Sequence, residues 1–349
     1  METVFFDNLF SKFSIDIGID LGTANTPLIV KDKGVKLKEP SFIARDKKKN
    51  KVIAVGVEAK LMFERNPKNI EVIKPLKHGV IVDFDAVRAM LSYFITKLNS
   101  HRIFKPRLII GVPLDATEVE KKSVIEAARL AGARSVYVVE QPLAVAVGIG
   151  LPVGEPVASA VVDIGAGAVQ VAVISLGGIV ASKISKIAGE DMDTAIIEEL
   201  KRSRNILIGE RTAEDIKIYI GQAMDSPDKE TLQVKGRDLS SGMPAIVDVD
   251  STQIYNAIKP IIMNIGNLLR QTLEDTPPEL TVDIIENGIA LIGGIAQIKF
   301  LDKFLSKITG VKCYVPNNPQ LCAVSGMNKL FSSQALMQRV FRTNRYLYK

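Results

Sequence analysis

The chain has 349 residues, 47% of them apolar and 24% charged, a globular composition with material for two domains. No stretch of about 20 apolar residues reads as a membrane span, and the apolar N-terminus lacks the basic start and small-residue cleavage site of a secretory signal. The net charge of +6 is concentrated in the last eleven residues, RVFRTNRYLYK, whose four cations and no anion leave +2 for the rest.

No basic stripe with interleaved aromatics and no helix-turn-helix accompanies that charge, so nucleic acid is not an expected partner. The tail suits an anionic membrane surface or a protein partner, or is simply a solvated terminus. Cys313 and Cys322 lack metal-ligand spacing and read as buried, reduced thiols of a cytoplasmic protein.

In chain order, METVFFDNLFSKF (1–13) is amphipathic at helical spacing, with Phe5, Leu9 and Phe13 aligned and Phe6 and Phe10 beside them. It predicts either an interfacial membrane helix or a helix docked on its own core. Residues 14–30 read as strand, turn, strand. A lysine-rich, short-stranded segment follows over about 34–77. LIIGVP (108–113) is a buried-type strand. TEVEKKSVIEAARLAG (117–132) predicts a helix with a Thr117–Glu120 capping box and a stop at Gly132. VYVVEQPLAVAVGIG (136–150) is a strand running into a helix, with Pro142 in its first turn.

The pattern then starts again. VVDIGAGAVQVAVISLGG (161–178) repeats the strand-Asp-turn-strand unit, and GIALIGGIAQI repeats the strand-Gly-helix unit near Gly293. Two similar halves suggest internal duplication. Residues about 184–252 carry two helices and an ending rich in Asp, Ser and Gly, and read as a subdomain inserted into the second half. Within it, GERTAEDIK predicts a helix with Thr212 at the N-cap and Asp215 at N3.

DLGTANT (20–26) and DIGAGAV (163–169) each place backbone N–H groups and a carboxylate at a turn between strands, a pattern that makes an anion-binding concavity. Bare carboxylates repel phosphate, so Asp20 and Asp163 make sense there with a bridging Mg2+ that keeps its waters. Plain hairpins are the alternative. Glu140 complements a helix N-terminus or acts as a base, and both roles stay open. Glu214 and Lys217, three apart, form a surface ion pair or hold a ribose and cover an adenine ring. Gly293 and Gly294 make a tight turn or let backbone lie flat on a nucleotide.

Taken together, IDIGIDLGTANT, EPSFIA, GVPLDATEVEKKSVIEAARLAGA, VVDIGAGAVQVAVISLGGIV, IAGEDMDTAI, IGERTAEDIKI, TPPEL and IIENGIALIGG resemble the MreB family of bacterial actins from about residue 14 to about 330. The resemblance implies an α/β actin-like fold, two duplicated RNase H-like halves with inserted subdomains around a nucleotide cleft. The expected subdomains are IA (1–33, 78–144 and 323–349), IB (34–77), IIA (145–183 and 253–322) and IIB (184–252). It further implies ATP or ADP with Mg2+ as cofactors and polymerisation into paired protofilaments on the inner face of the cell membrane, possible sister MreB proteins being further partners.

By the same resemblance, Asp20 and Asp163 approach Mg2+ through water. Gly22, Thr23, Ala24, Asn25, Gly165, Ala166 and Gly167 line the phosphates, Glu214 and Lys217 contact ribose and adenine, and Gly293 and Gly294 pack against the nucleoside. Glu140 orients the attacking water. Ile103 and Phe104, in SHRIFKPR, match the family's membrane-dipping loop.

Four departures stand out. Where the family's second turn continues Gly-Gly-Thr-Thr-Glu, this chain has Ala166, Gly167, Ala168, Val169 and Gln170. Glu-Glu-Pro becomes Glu140-Gln141-Pro142, Thr-Gly-Gly-Gly becomes Ile292-Gly293-Gly294-Ile295, and a leucine becomes Pro27. The missing hydroxyls predict slow hydrolysis, by on the order of a hundredfold, on a phosphate cradle that still works. The expected protein is a membrane-associated filament with weak ATPase activity. The alternative is a nucleotide-binding but hydrolysis-deficient scaffold that modulates a sister protein. A sugar kinase or chaperone ATPase on the same fold ranks far behind, because no substrate base and no peptide-binding domain is in evidence.

Overall fold

A computed structural model describes residues 15–99 and 104–343. Phe5, Phe6, Leu9, Phe10, Phe13 and Ile103, with the end of the basic tail, lie outside those residues. The chain divides into two compact units, the first built from residues up to 159, 173–180 and 320 onward, the second from 160–172 and 181–319.

In the first unit, β1 (Asp16–Asp20), β2 (Asn25–Val30) and β3 (Gly34–Pro40) follow one another as antiparallel neighbours. β4 (Ile43–Asp46), β5 (Lys51–Val55) and β6 (Ile70–Ile73) form a separate small sheet with α1 (Val57–Met62) beside it. The ribbon of β7 (Leu76–Lys77) and β8 (Val80–Ile81) leads to α2 (Phe84–Asn99). Then β9 (Arg107–Val112), α3 (Glu118–Leu130), β10 (Ser135–Glu140) and α4 (Gln141–Ile149) complete the pattern. The main sheet has the order β10-β9-β1-β2-β3, with β1, β9 and β10 parallel.

Period-two alternation explains which face is buried. Ile17 and Ile19 of β1 join Leu28, Leu108, Ile110, Val136 and Val138 in one core with Met90, Leu91 and Phe94 of α2. Each such side chain contributes about 1.5–3 kcal/mol of burial. On the opposite face Gly18 leaves room for Met327, which a Cβ there would meet at 2.8 Å, so the helix Cys322–Ser332 packs directly on the strand. The expected Thr117–Glu120 capping box opens α3, and Gly132, at φ +110, follows its end.

β11 (Ser159–Ile164), β12 (Val169–Ser175) and β13 (Gly178–Ser185), which belong to the second unit except for residues 159 and 173–180, are followed by α5 (Gly189–Arg204), β14 (Ile206–Leu207) and α6 (Glu210–Ile220). β15 (Thr231–Asp238) and β16 (Pro244–Asp250) form a hairpin, so the Asp-, Ser- and Gly-rich ending is a turn held by Asp238, whose carboxylate accepts from the Ser240 and Ser241 amides. Next come α7 (Ser251–Glu274), α8 (Pro278–Asn287), β17 (Ile289–Ile292), α9 (Leu301–Thr309) and β18 (Cys313–Tyr314). The sheet order is β13-β12-β11-β17-β18, with β11, β17 and β18 parallel. This repeats the arrangement of the first sheet, three strands in sequence followed by two parallel additions, as the internal repeat predicted.

One cap differs from expectation. Thr212 is not the N-cap of α6; Gly209 is, and it makes no side-chain cap hydrogen bond. The helix starts earlier because Gly209 already offers its carbonyl to the Ala213 amide at 3.1 Å. Cys313 and Cys322 are both buried and neither is in a disulfide, as read from the sequence. Among the described residues no helix is long and apolar enough to cross a membrane.

Candidate functional site

The turn between β1 and β2 is held from behind. Ser41, fully buried, donates its hydroxyl to the Gly22 carbonyl at 2.6 Å and its amide to the Ala24 carbonyl at 2.9 Å, and it contacts the Thr26 hydroxyl at 2.9 Å. Thr23 accepts at its hydroxyl from the Gly79 amide at 3.0 Å. The turn is too tight for any side chain at residue 22, where a Cβ would meet the Asn25 carbonyl at 2.4 Å. The carbonyls of Gly22 and Ala24 are taken by protein donors, whereas among the described residues the amides of Thr23 and Ala24 find no acceptor. A turn with spent carbonyls and spare amides receives anions.

Asp20 stands at the end of β1, half-buried, and accepts at Oδ1 from Gln141 Nε2 at 2.6 Å. Burial pushes its carboxyl above the ordinary range, and the Gln141 hydrogen bond opposes that rise. Glu140 occupies the N-cap position of α4 with no side-chain cap hydrogen bond. Its carboxylate lies 4.0 Å from the buried ammonium of Lys121, which is also 3.7 Å from Glu118.

The second unit repeats this construction at its own turn. The carbonyls of Gly165 and Ala166 accept from the amides of Gly189 and Glu190 at 3.2 and 2.8 Å, and the Ala168 carbonyl accepts from Gly165 at 2.9 Å. Among the described residues the amides of Ala166 and Ala168 have no protein acceptor. Gly189 touches the turn so closely that a Cβ would meet the Gly165 carbonyl at 3.1 Å. Gly293, at φ +88, lies against β11; a Cβ there would meet the Ile164 carbonyl at 2.3 Å and Asp163 Oδ1 at 2.8 Å. Gly294 is exposed and leads into a short 3-10 turn, Ile295–Gln297.

Lys217 is not part of a surface ion pair with Glu214. It is 5% exposed and donates to the Gly189 carbonyl at 2.8 Å, with Asp193 Oδ1 at 2.7 Å. Helical spacing put Lys217 on a face with Glu214, but the packing of α6 on α5 turns it to Asp193 instead. Burial, only partly offset by Lys217 and reinforced by the Glu214 and Glu190 carboxylates, pushes Asp193 up to about 6. Lys217, Gly189 and the 165–168 turn are thus one connected group of the second unit.

Phe104, half-buried, is held through its carbonyl by the Asn99 side-chain amide at 3.2 Å. Sequence reading missed Ser41, Gly189 and Asp193, although EPSFIA and IAGEDMDTAI both stood out. Their partners lie 19 to 28 residues away, beyond any local spacing rule.

The donor sets suit a phosphate chain and a hydrated cation. Each turn supplies spare amides, and each has a carboxylate at its strand end. Among the described residues no group of three or more His, Cys, Asp or Glu side chains is placed to hold a metal directly.

Comparison with known proteins agrees with this construction. The MreB/Mbl protein family model matches residues 14–339. The cell shape-determining protein Mbl of Bacillus subtilis is 45% identical over 315 residues, 90% of this chain and 95% of that protein. The cell shape-determining protein MreB of Escherichia coli is 43% identical over 323 residues, 91% and 93% of the two chains. Among solved structures, MreB5 of Spiroplasma citri bound to ADP superposes with a TM-score of 0.88 at 31% identity, covering 95% of this chain and 99% of that one. The same protein bound to AMPPNP gives 0.87. The MamK double helical filament, at 20% identity and a TM-score of 0.78, shares the fold. With its two like-ordered sheets, its two like-built turns and a family match that runs almost end to end, the chain has the actin-like fold and belongs to the MreB/Mbl family.

Proposed function

We propose that the chain is a cytoskeletal protein that binds ATP or ADP with Mg2+ and polymerises into filaments governing cell shape, peripheral on the inner face of the cytoplasmic membrane. The observation that carries this reading is the repeated turn, one per unit, with its carbonyls spent and its amides spare. Relatives solved with ADP and AMPPNP support the choice of an adenine nucleotide.

In this reading Gly22, Thr23, Ala24 and Asn25 of the first turn and Gly165, Ala166 and Gly167 of the second line the phosphates, the spare amides of Thr23, Ala24 and Ala166 donating to phosphate oxygens. Lys217 and Glu214 contact the nucleoside, and Gly293 and Gly294 keep that approach free of side chains. Bound Mg2+ supplies charge neutralisation at the phosphates. Asp20 and Asp163 hold its waters, and Glu140 orients the attacking water. The four-subdomain division set out from the sequence belongs to the same reading, as do membrane contacts through residues 1–13 and through Ile103 and Phe104.

Hydrolysis is slow in this reading because the second turn lacks hydroxyls. Val169 is fully buried, so Ala168, half-buried, is the position where a hydroxyl would serve the turn. The same observation favours a second reading, a scaffold that binds nucleotide and turns it over negligibly while modulating a sister filament. Single-turnover phosphate release separates the two. Electron microscopy on lipid with ATP, ADP or no nucleotide tests the filament itself. Absence of both nucleotide binding and polymers would overturn the proposal. Deleting residues 1–13 should reduce liposome co-sedimentation; unchanged binding would point to Phe104 or to no membrane role.

A further inference from the structure

The lysine-rich segment gathers much of its charge at one end of the small sheet. β4 and β5 pair Asp46 with Lys51, and residues 47–50 connect them. Asp46 Oδ1 accepts from the amides of Lys48 and Lys49 at 2.8 and 3.0 Å, and Asn50 takes the left-handed conformation, at φ 47, that closes the turn. The loop before β6 lies alongside, because the Lys47 amide donates to the Asn69 carbonyl at 3.0 Å. Lys47, Lys48, Lys49 and Lys51 of the hairpin and Arg65 and Lys68 of that loop are all exposed. Over residues 46–51 and 64–69 these six cations meet two acids, a net charge of +4. Asp46 is committed to the turn amides, and Glu71 on the neighbouring strand is committed to Arg45 at 2.8 Å. Among the described residues none of the six cations has an ion-pair partner.

We infer that this end of the small sheet is a contact site for anionic lipid headgroups, separate from residues 1–13 and from Ile103 and Phe104. The inference rests on the proposal that the chain lies on the cytoplasmic membrane. Like charges crowded within one Debye length, about 8 Å at physiological salt, repel one another. A fixed turn that nevertheless holds them together presents them to an external counter-charge. Lysine is a compact, strongly hydrated charge on a flexible stem, which suits a diffuse headgroup layer. The flat guanidinium fork that reads single phosphates or bases is present there only at Arg65. No aromatic side chain lies within the two loops to stack a nucleobase, and the ring that precedes them, Phe63, packs on Phe42 at 5.2 Å. β5 adds an apolar group beside the charges: Ile53, two residues from Lys51 and 44% exposed, shares its strand face.

The test uses the full chain and its co-sedimentation with vesicles of pure phosphatidylglycerol or pure phosphatidylcholine. A lysine near an anionic surface contributes about fivefold in partitioning. Lys47→Gln, Lys48→Gln and Lys49→Gln combined should therefore lower binding to phosphatidylglycerol roughly 100-fold and leave binding to phosphatidylcholine unchanged. Lys68→Gln, on the other loop, should lower it about fivefold. At about 1 M salt, where the Debye length shrinks to ~3 Å, variants and wild type should bind alike. Unchanged binding of the triple variant to phosphatidylglycerol overturns the inference and leaves the membrane reading to residues 1–13, Ile103 and Phe104. Equal loss on both lipids also overturns it, because the lysines would then support the fold or an apolar contact. Loss of single-stranded oligonucleotide binding with lipid binding retained overturns it in favour of nucleic acid. A wild-type chain that binds neither vesicle overturns the membrane reading itself.

Discussion

Asp193 offers a quantitative test of how the second unit is built. Its carboxyl is raised from an ordinary 3.8 to about 6, chiefly by burial. A group whose folded pKa lies above its unfolded value contributes stability that is fully present below the unfolded pKa. That contribution is lost as pH rises through the folded one. The pKa difference corresponds to about 3 kcal/mol at 1.36 kcal/mol per unit, so wild-type stability should fall by about that much between pH 4 and pH 7.5 through this group alone. Asp193→Asn removes the titration and retains an acceptor for Lys217. Urea unfolding followed by far-UV circular dichroism should show the variant gaining on the wild type across that window, most steeply near pH 5, midway between the two pKa values. A gap between the two that stays flat to within about 0.5 kcal/mol, well inside the linkage figure, would refute the burial argument. So would a carbon-13 titration that places the Asp193 carboxyl at its ordinary value.

Other expectations follow from single contacts. Arg107 grips Asp16 with two hydrogen bonds, at 2.9 and 2.5 Å, and lies over the Phe331 ring. Arg107→Met should cost about 3–5 kcal/mol by stranding a buried charge, and Asp16→Leu in the same chain should recover most of it in urea unfolding. Gly293→Ala meets backbone at 2.3 Å, whereas Gly310→Ala, also at positive φ, meets nothing within 4 Å. Calorimetry should therefore show the second losing only about 1–2 kcal/mol and the first clearly more. Ala168→Thr should raise single-turnover phosphate release if the missing hydroxyl limits hydrolysis. Val169→Thr should instead lower stability, by about 1–3 kcal/mol for a hydroxyl buried in the sheet core.

The sequence alone determined the elements whose causes are local. Alternation at Ile17 and Ile19 made a strand, Thr117 and Glu120 opened a helix, and two Asp-x-Gly turns in equivalent places announced a duplicated architecture. Even the spare amides of those turns were legible in outline, because a glycine turn between two strands leaves few other options. Tertiary structure alone decided the partners. Ser41 takes the turn's carbonyls from 19 residues away, Gln141 reaches Asp20 across 121 residues and an intervening strand, and Lys217 abandons the helix face it shares with Glu214 for Asp193 and Gly189. Hydrogen bonds and charges act over a few ångströms of space, whereas sequence spacing reports neighbours only along one element. Which polar groups meet is settled when separate elements pack.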